Sequence, residues 1–263
     1  MTIQVLVSTM NQTNINGLVK DMHVYNCVVI NQITEKIKTP RNHDSKGRKY
    51  LSFKEKGLSK SRNRAIKYSN ADICVIADDD MYYEHDYEKI IKDAYLRIKD
   101  ADIIAFYIDD ENTKTKKKMQ KAGRVKLLKT MKLSSVQLTF RRNSIINKNI
   151  EFNEGFGSGT KKYMGEENIF LTDCLKKNLR VYYVPTCIAT LNSGSVSTWF
   201  NGYNNKYLRV KGAVFYRMSS YLFPLLILQF AIRKRELFNK KISTLRLVNL
   251  MFEGASNEKK HSN

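Results

Sequence analysis

Residues 71–91 read ADICVIADDDMYYEHDYEKII, an apolar run that meets three consecutive aspartates. The run at 72–76 is short, β-branched and bounded by polar residues, which predicts a strand buried on both faces. Residues 85–99, HDYEKIIKDAYLRIK, carry apolar positions at helical spacing, and ADIIAFYI at 101–108 reads as the next strand. Strand, helix and strand in that order form the unit of an α/β sheet covered on both faces. In such sheets ligands bind at the carboxyl ends of strands, where Asp78, Asp79 and Asp80 fall.

The same alternation extends in both directions. Upstream, IQVLV (3–7) and NCVVI (26–30) read as strands around a helix in NINGLVKDMHVY, and GLSKSRNRAIKYS (57–69) reads as a helix with Ser59 or Ser61 near its start. Downstream, VQLTFRRNSI (136–145) reads as a strand, EFNEGFGSGTKKYMG (151–165) as a glycine-bearing loop and EENIFLTDCLKKN (166–178) as a helix. RVYYVP (180–185) reads as a strand stopped by Pro185, and residues 109–124 as a basic loop without apolar periodicity.

Charge frames the problem those aspartates pose. The chain of 263 residues carries 46 Lys and Arg against 25 Asp and Glu, a net charge of +21, which points to an anionic partner. At a strand end alternate side chains share a side, so Asp78 and Asp80 converge while Asp79 diverges and supports the turn. Two converging carboxylates repel unless a hard divalent cation makes them ligands, and Mg²⁺ or Mn²⁺ bound this way keeps positions open for phosphate oxygens. A solvated acidic turn opening the next helix is the alternative reading of the triplet alone. Cys27, Cys74, Cys174 and Cys187 are widely spaced without a CxxC pair, as expected of reduced thiols in a cytoplasmic chain. The four histidines lack the spacing of a zinc site.

Four separated motifs, VLVSTMNQ, GLSKSRNRAI, ICVIADDDMYY and GEENIFLTDCLKKN, resemble in order and spacing those of family 2 glycosyltransferases over about residues 3–200. The resemblance implies the GT-A fold, a Rossmann-like mixed sheet flanked by helices. It also implies an enzyme that moves a sugar, by metal-dependent inverting displacement, from a nucleoside diphosphate to a glycan hydroxyl, as in cell-surface polysaccharide synthesis. The implied cofactors are Mn²⁺ or Mg²⁺ and a nucleotide-sugar donor, a UDP-sugar first among them.

Residue by residue, the resemblance places Thr9 and Asn11 beside the nucleobase and Asn31 and Gln32 where the family has a base-reading acidic pair. An amide carbonyl there accepts a base N–H but adds no charge. Arg62 is suited to hold the nucleotide and Asn63 to pin a loop. Asp78-x-Asp80 matches the DXD motif, with Asp78 and Asp79 toward the donor and Asp78 and Asp80 on the metal. Glu167, second of the acidic pair in GEENIFL, becomes the general base, while Gly155, Gly157 and Gly159 allow close approach of an acceptor loop. Trp199 and Phe200 are candidates for an acceptor platform or for packing.

The division expected along the chain is a catalytic domain at 1–210 and a basic, apolar helical extension at 211–263. Its apolar stretch at 213–232 is interrupted by Arg217, Ser219 and Ser220, leaving about a dozen apolar residues where a span needs about 20. Its composition suits a helix in an anionic membrane interface on the cytoplasmic side, and equally a helical pair packed on the domain or on a partner subunit. An acceptor linked to a polyprenyl lipid fits the first reading. Two rival functions fit the charge or the carboxylates. A nucleotidyltransferase needs a glycine-rich basic loop after the first strand, which STMNQTNING does not supply, and a nucleic-acid binder would bring phosphates against three carboxylates.

Overall fold

The computed structural model describes residues 1–38, 40–45, 47–110, 121–192, 202–238 and 242–262. Its centre is a mixed sheet made of β1 (Ile3–Met10), β2 (Cys27–Gln32), β3 (His43–Ser45), β4 (Arg48–Phe53), β5 (Ile73–Asp78), β6 (Met81–Tyr83), β7 (Ile103–Asp110), β8 (Gly123–Arg124), β9 (Leu138–Arg141) and β10 (Val181–Leu191). The helices are α1 (Ile15–Asp21), α2 (Leu58–Tyr68), α3 (Tyr87–Arg97), α4 (Leu127–Thr130), α5 (Arg142–Asn147), α6 (Glu166–Lys176), α7 (Asn205–Met218), α8 (Phe223–Phe238) and α9 (Thr244–Ser262). This is the mixed sheet with flanking helices that the resemblance implied.

Strand order across the sheet is β3-β4-β2-β1-β5-β9-β7-β10-β6, with β8 on β10. β4, β2, β1 and β5 run parallel, so their carboxyl ends form one edge. The apolar runs that marked these strands are buried on both faces: Val5, Val7, Val29 and Val75 lie in one core layer, Leu6, Val28, Ile30 and Ile76 in the other. Burying about a dozen such side chains at roughly 1.5–3 kcal/mol each gives the sheet its stability and fixes its register.

Several sequence expectations change. Asp78 ends β5, but Asp79 and Asp80 occupy a tight turn into β6, which pairs antiparallel with β10. Strand alternation therefore governs Asp78 alone. The stretch 136–145 is only partly strand: Ser135–Gln137 form a 3-10 turn, β9 is four residues, and α5 follows. β9 is antiparallel to both neighbours, and its short run brings Arg141 and Arg142 to the surface, where their guanidinium groups hold the backbone carbonyls of Ala101 and Ile66. Pro185 does not end its strand. β10 continues to Leu191, and the pairing with β7 shifts register between Val184 and Cys187, so the missing proline N–H falls in a bulge. Ser59 and Ser61 do lie near the start of α2, in its first turn. Gly57 holds the N-cap position, and Ser59 and Ser61 are buried.

The helix α7 runs through the expected division at 210/211. It packs antiparallel-fashion against α9 with the backbones in contact: a Cβ on Gly212 would collide with the Met251 carbonyl, and one on Gly254 with the Arg209 carbonyl. A third apolar cluster joins Phe156, Met164 and Ile169 of the sheet-bearing part to Val214, Phe215, Leu226, Ile227 and Met251. No helix among the described residues is long and apolar enough to cross a membrane.

Candidate active site

The parallel strands deliver Ser8, Thr9, Asn31, Gln32 and Asp78 to one sheet edge, and α2 crosses it. Asn31 and Gln32 are buried there and closed on backbone. Asn31 donates to the Gln12 carbonyl (2.8 Å) and accepts from the Gln12 N–H (3.0 Å). Gln32 does the same with Gly57, donating at 2.7 Å and accepting at 3.1 Å. Amides in the place of the family's acids thus serve as braces, one setting the loop after β1 and the other the start of α2. Their chemistry explains the choice: an amide both donates and accepts, so it can bind both sides of a peptide, whereas a carboxylate only accepts.

Asn11 also braces. It adopts a left-handed backbone, φ 53°, and its side chain exchanges hydrogen bonds with Thr34, accepting from the N–H at 2.8 Å and donating to Oγ1 at 2.8 Å. Thr9 Oγ1 donates to Asp79 at 2.5 Å, tying the turn after β5 to the end of β1. Asn63 donates to the Phe152 carbonyl (2.9 Å) and accepts from its N–H (2.8 Å), pinning the segment that leads into the glycine loop.

Arg62 is the hub. It is completely buried, and its guanidinium forks between Asp78 Oδ1 (3.0 Å) and Glu166 Oε1 (2.8 Å), with a further bond to Ser135 Oγ (2.9 Å). Burial opposes its charge, but the two carboxylates outweigh burial and raise the guanidinium above its usual range. Phe152 lies under it, 5.5 Å from the ring centre, and stacks on Phe170 of α6. The side chain expected to hold a nucleotide thus joins the end of β5 to the start of α6. Ser135 was not anticipated, although Ser134-x-x-Gln137 is a readable capping box and does form one.

Glu166 and Glu167 open α6 behind Gly165, whose left-handed φ of 87° places its missing Cβ against Val214 of α7. Gly157, φ 100°, lets the glycine loop lie against Ser59 and Glu166, and Ser59 Oγ holds the Phe156 carbonyl at 2.7 Å. The observed close approach is therefore to α2 and Glu166. Glu167 accepts from the Asn168 side chain at 2.6 Å. Burial first, and the neighbouring Glu166 second, push the Glu167 carboxyl up to about 8, while Lys211 and Arg62 oppose the shift. Lys211 belongs to α7, and burial lowers its ammonium while Glu167 raises it. The third helix from the end thus supplies a charge to this site, which no motif announced.

Charge favours a divalent cation at these strand ends. One guanidinium faces both Asp78 and Glu166, so the strand ends keep excess negative charge, and only Asp78 Oδ1 is used in the Arg62 contact. Asp78 is half-buried and Asp80 lies two residues on, both with hard oxygen donors that suit Mg²⁺ or Mn²⁺. Among the described residues no group of three or more His, Cys, Asp or Glu forms a cage, so a cation here would complete its shell with phosphate oxygens and water. Trp199 and Phe200 lie outside the described residues.

Residues 29–167 match the model for glycosyl transferase family 2, a span running from within β2 to Glu167. Residues 1–349 of TarS from S. aureus in complex with UDP-GlcNAc align with a TM-score of 0.66 at 16% identity, covering 97% of this chain and 82% of that one. The same piece in complex with UDP gives 0.61 at 16% identity, over 92% and 76%. A longer TarS structure gives 0.58 at 17% identity over 87% of this chain, which spans 40% of its length. No curated protein sequence matches the chain.

Proposed function

This chain belongs to glycosyl transferase family 2 and is a glycosyltransferase of GT-A fold; from that premise we propose that it transfers a sugar from a UDP-sugar to a glycan hydroxyl by metal-dependent inverting displacement. The acceptor is a growing cell-surface polysaccharide, carried on a lipid. The observation that carries this reading is the Arg62 fork, which makes the donor-side Asp78 and the pair Glu166-Glu167 parts of one rigid unit.

Each residue has a task. Glu167 takes the proton of the acceptor hydroxyl as its oxygen forms a bond to the anomeric carbon and the bond from that carbon to the diphosphate breaks, inverting the centre. A carboxyl raised by burial is a stronger base once ionised, and a value near working pH is what general-base catalysis favours. Arg62 orients Asp78 and Glu166 through a charge-assisted hydrogen bond to each. Asp78 and Asp80 would hold Mg²⁺ or Mn²⁺, which when bound supplies positive charge to the departing diphosphate. Thr9 keeps Asp79 turned to the β1 end, and Asn31, Gln32 and Asn63 set the backbone that frames the donor. A uridine donor is supported by the TarS complexes with UDP-GlcNAc and UDP.

Calorimetric titration with a panel of nucleotide sugars, followed by NMR of the product anomer, tests the proposal. Tight binding of a UDP-sugar and a product of opposite anomeric configuration are expected; retention, or preference for another base, would overturn it.

A further inference from the structure

Among the described residues one face of the C-terminal helices is left uncovered, and its pattern identifies what covers it. In α8, Leu226, Ile227, Ala231 and Phe238 turn into the apolar cluster shared with α7 and α9. The opposite side exposes Leu225 (64%), Leu228 (46%) and Ile232 (71%), and Tyr221 in the preceding turn is 90% exposed. At about 100° per residue, Leu225, Leu228 and Ile232 fall within about 60° of arc, a single stripe. Arg233 and Arg235 lie at about 80° to either side of Leu225 on the same count. Both are exposed, as is Glu236, the one acid of α8, which on the same count lies about 20° from Leu225 between the two arginines, while Lys234 lies about 180° away. An apolar stripe edged on both sides by cations matches an interface of hydrocarbon below and anionic headgroups beside it.

We propose that α8 docks this protein on an anionic membrane surface, with Tyr221, Leu225, Leu228 and Ile232 entering the headgroup boundary and Arg233 and Arg235 meeting lipid phosphates. The charge decides between a bilayer and a second copy of the chain. A copy would bring another strongly cationic surface against the same arginines, in a chain of net charge +21. A lipid-phosphate surface complements both the stripe and its rims. The attachment is peripheral, because α8 is 16 residues long and half of its circumference is committed to the protein core.

The proposal stands apart from the identity of donor and acceptor, and its test uses the full chain with vesicles. Flotation with phosphatidylcholine vesicles and with vesicles containing phosphatidylglycerol should show binding to the anionic set, weakened at least tenfold in high salt. Leu225→Glu with Ile232→Glu should weaken binding at least tenfold, and Arg233→Glu with Arg235→Glu should do the same on anionic vesicles. All four positions are exposed, so melting temperature and metal-dependent UDP release from a soluble donor should stay as in the parent protein. Absence of binding to anionic vesicles at low salt would overturn the proposal. So would a concentration-dependent dimer in light scattering that Leu225→Glu dissolves, which would assign the stripe to a second copy.

Discussion

Replacing Arg62 by methionine removes the group that, among the described residues, joins Asp78 to Glu166, and the outcome can be worked out from their burial. Glu166 retains 7% of its side-chain exposure and Asp78 34%, so the loss falls mainly on Glu166. Breaking a buried ion pair from one side costs about 3–5 kcal/mol, since the remaining charge is left without water or partner. For a chain of this size about 1 kcal/mol shifts the melting temperature by roughly 2–4 °C, so Arg62→Met should melt about 6–20 °C lower. The double variant Arg62→Met, Glu166→Gln no longer carries the stranded charge and should be more stable than Arg62→Met alone by about 2 kcal/mol, because Asp78 reaches solvent. Urea unfolding at neutral pH measures both. A loss below about 1 kcal/mol in the single variant, or strictly additive effects in the double, would refute the view of Arg62 as the joint between the two halves of the site.

Other outcomes follow from the same geometry. Glu167→Gln should lower kcat by about 10²–10⁴-fold with donor affinity kept, as steady-state rates and calorimetry would show. The rate of the parent enzyme should rise with pH toward a limb near pH 8, because the base works only when ionised. Stability moves the other way. Folded Glu167 holds its proton more tightly than the unfolded carboxyl, so its effect on stability falls as pH rises from about 4.5 to about 8, and Glu167→Gln should flatten that slope in melting experiments. Gly254→Ala pushes a methyl group into the Arg209 carbonyl and should open the α7–α9 contact at a cost of at least about 1–3 kcal/mol, read from unfolding curves.

What could be read in advance was what burial and chain direction dictate. Runs such as IQVLV, NCVVI and ICVIAD have one stable fate, a strand between two layers, and the carboxyl end of the third then places Asp78. Arg62, Asp78, Glu166 and Glu167 were legible as motif residues, but their connection was not. Arg62 and Glu166 are 104 residues apart, and no local pattern tells a guanidinium that meets solvent from one that bridges two carboxylates. Asn31 and Gln32 look like ligand-reading amides until Gln12 and Gly57 are seen in their grasp. The pair β3-β4 escaped notice because β3 is three exposed residues and β4 only half-buried, so neither carries a strong apolar signal. Lys211 could be found only from the crossing of α7 over Gly165, a contact set by shape.

The central claim is that the carboxylates at the end of β5 and the start of α6 serve transfer from a nucleotide sugar with a divalent cation. Release of UDP from a panel of UDP-sugars, followed with EDTA, with Mn²⁺ restored, and in Asp80→Ala, tests it most directly. Release that EDTA stops, Mn²⁺ restores and Asp80→Ala abolishes is the expected result. Release unchanged by EDTA and by Asp80→Ala would contradict it.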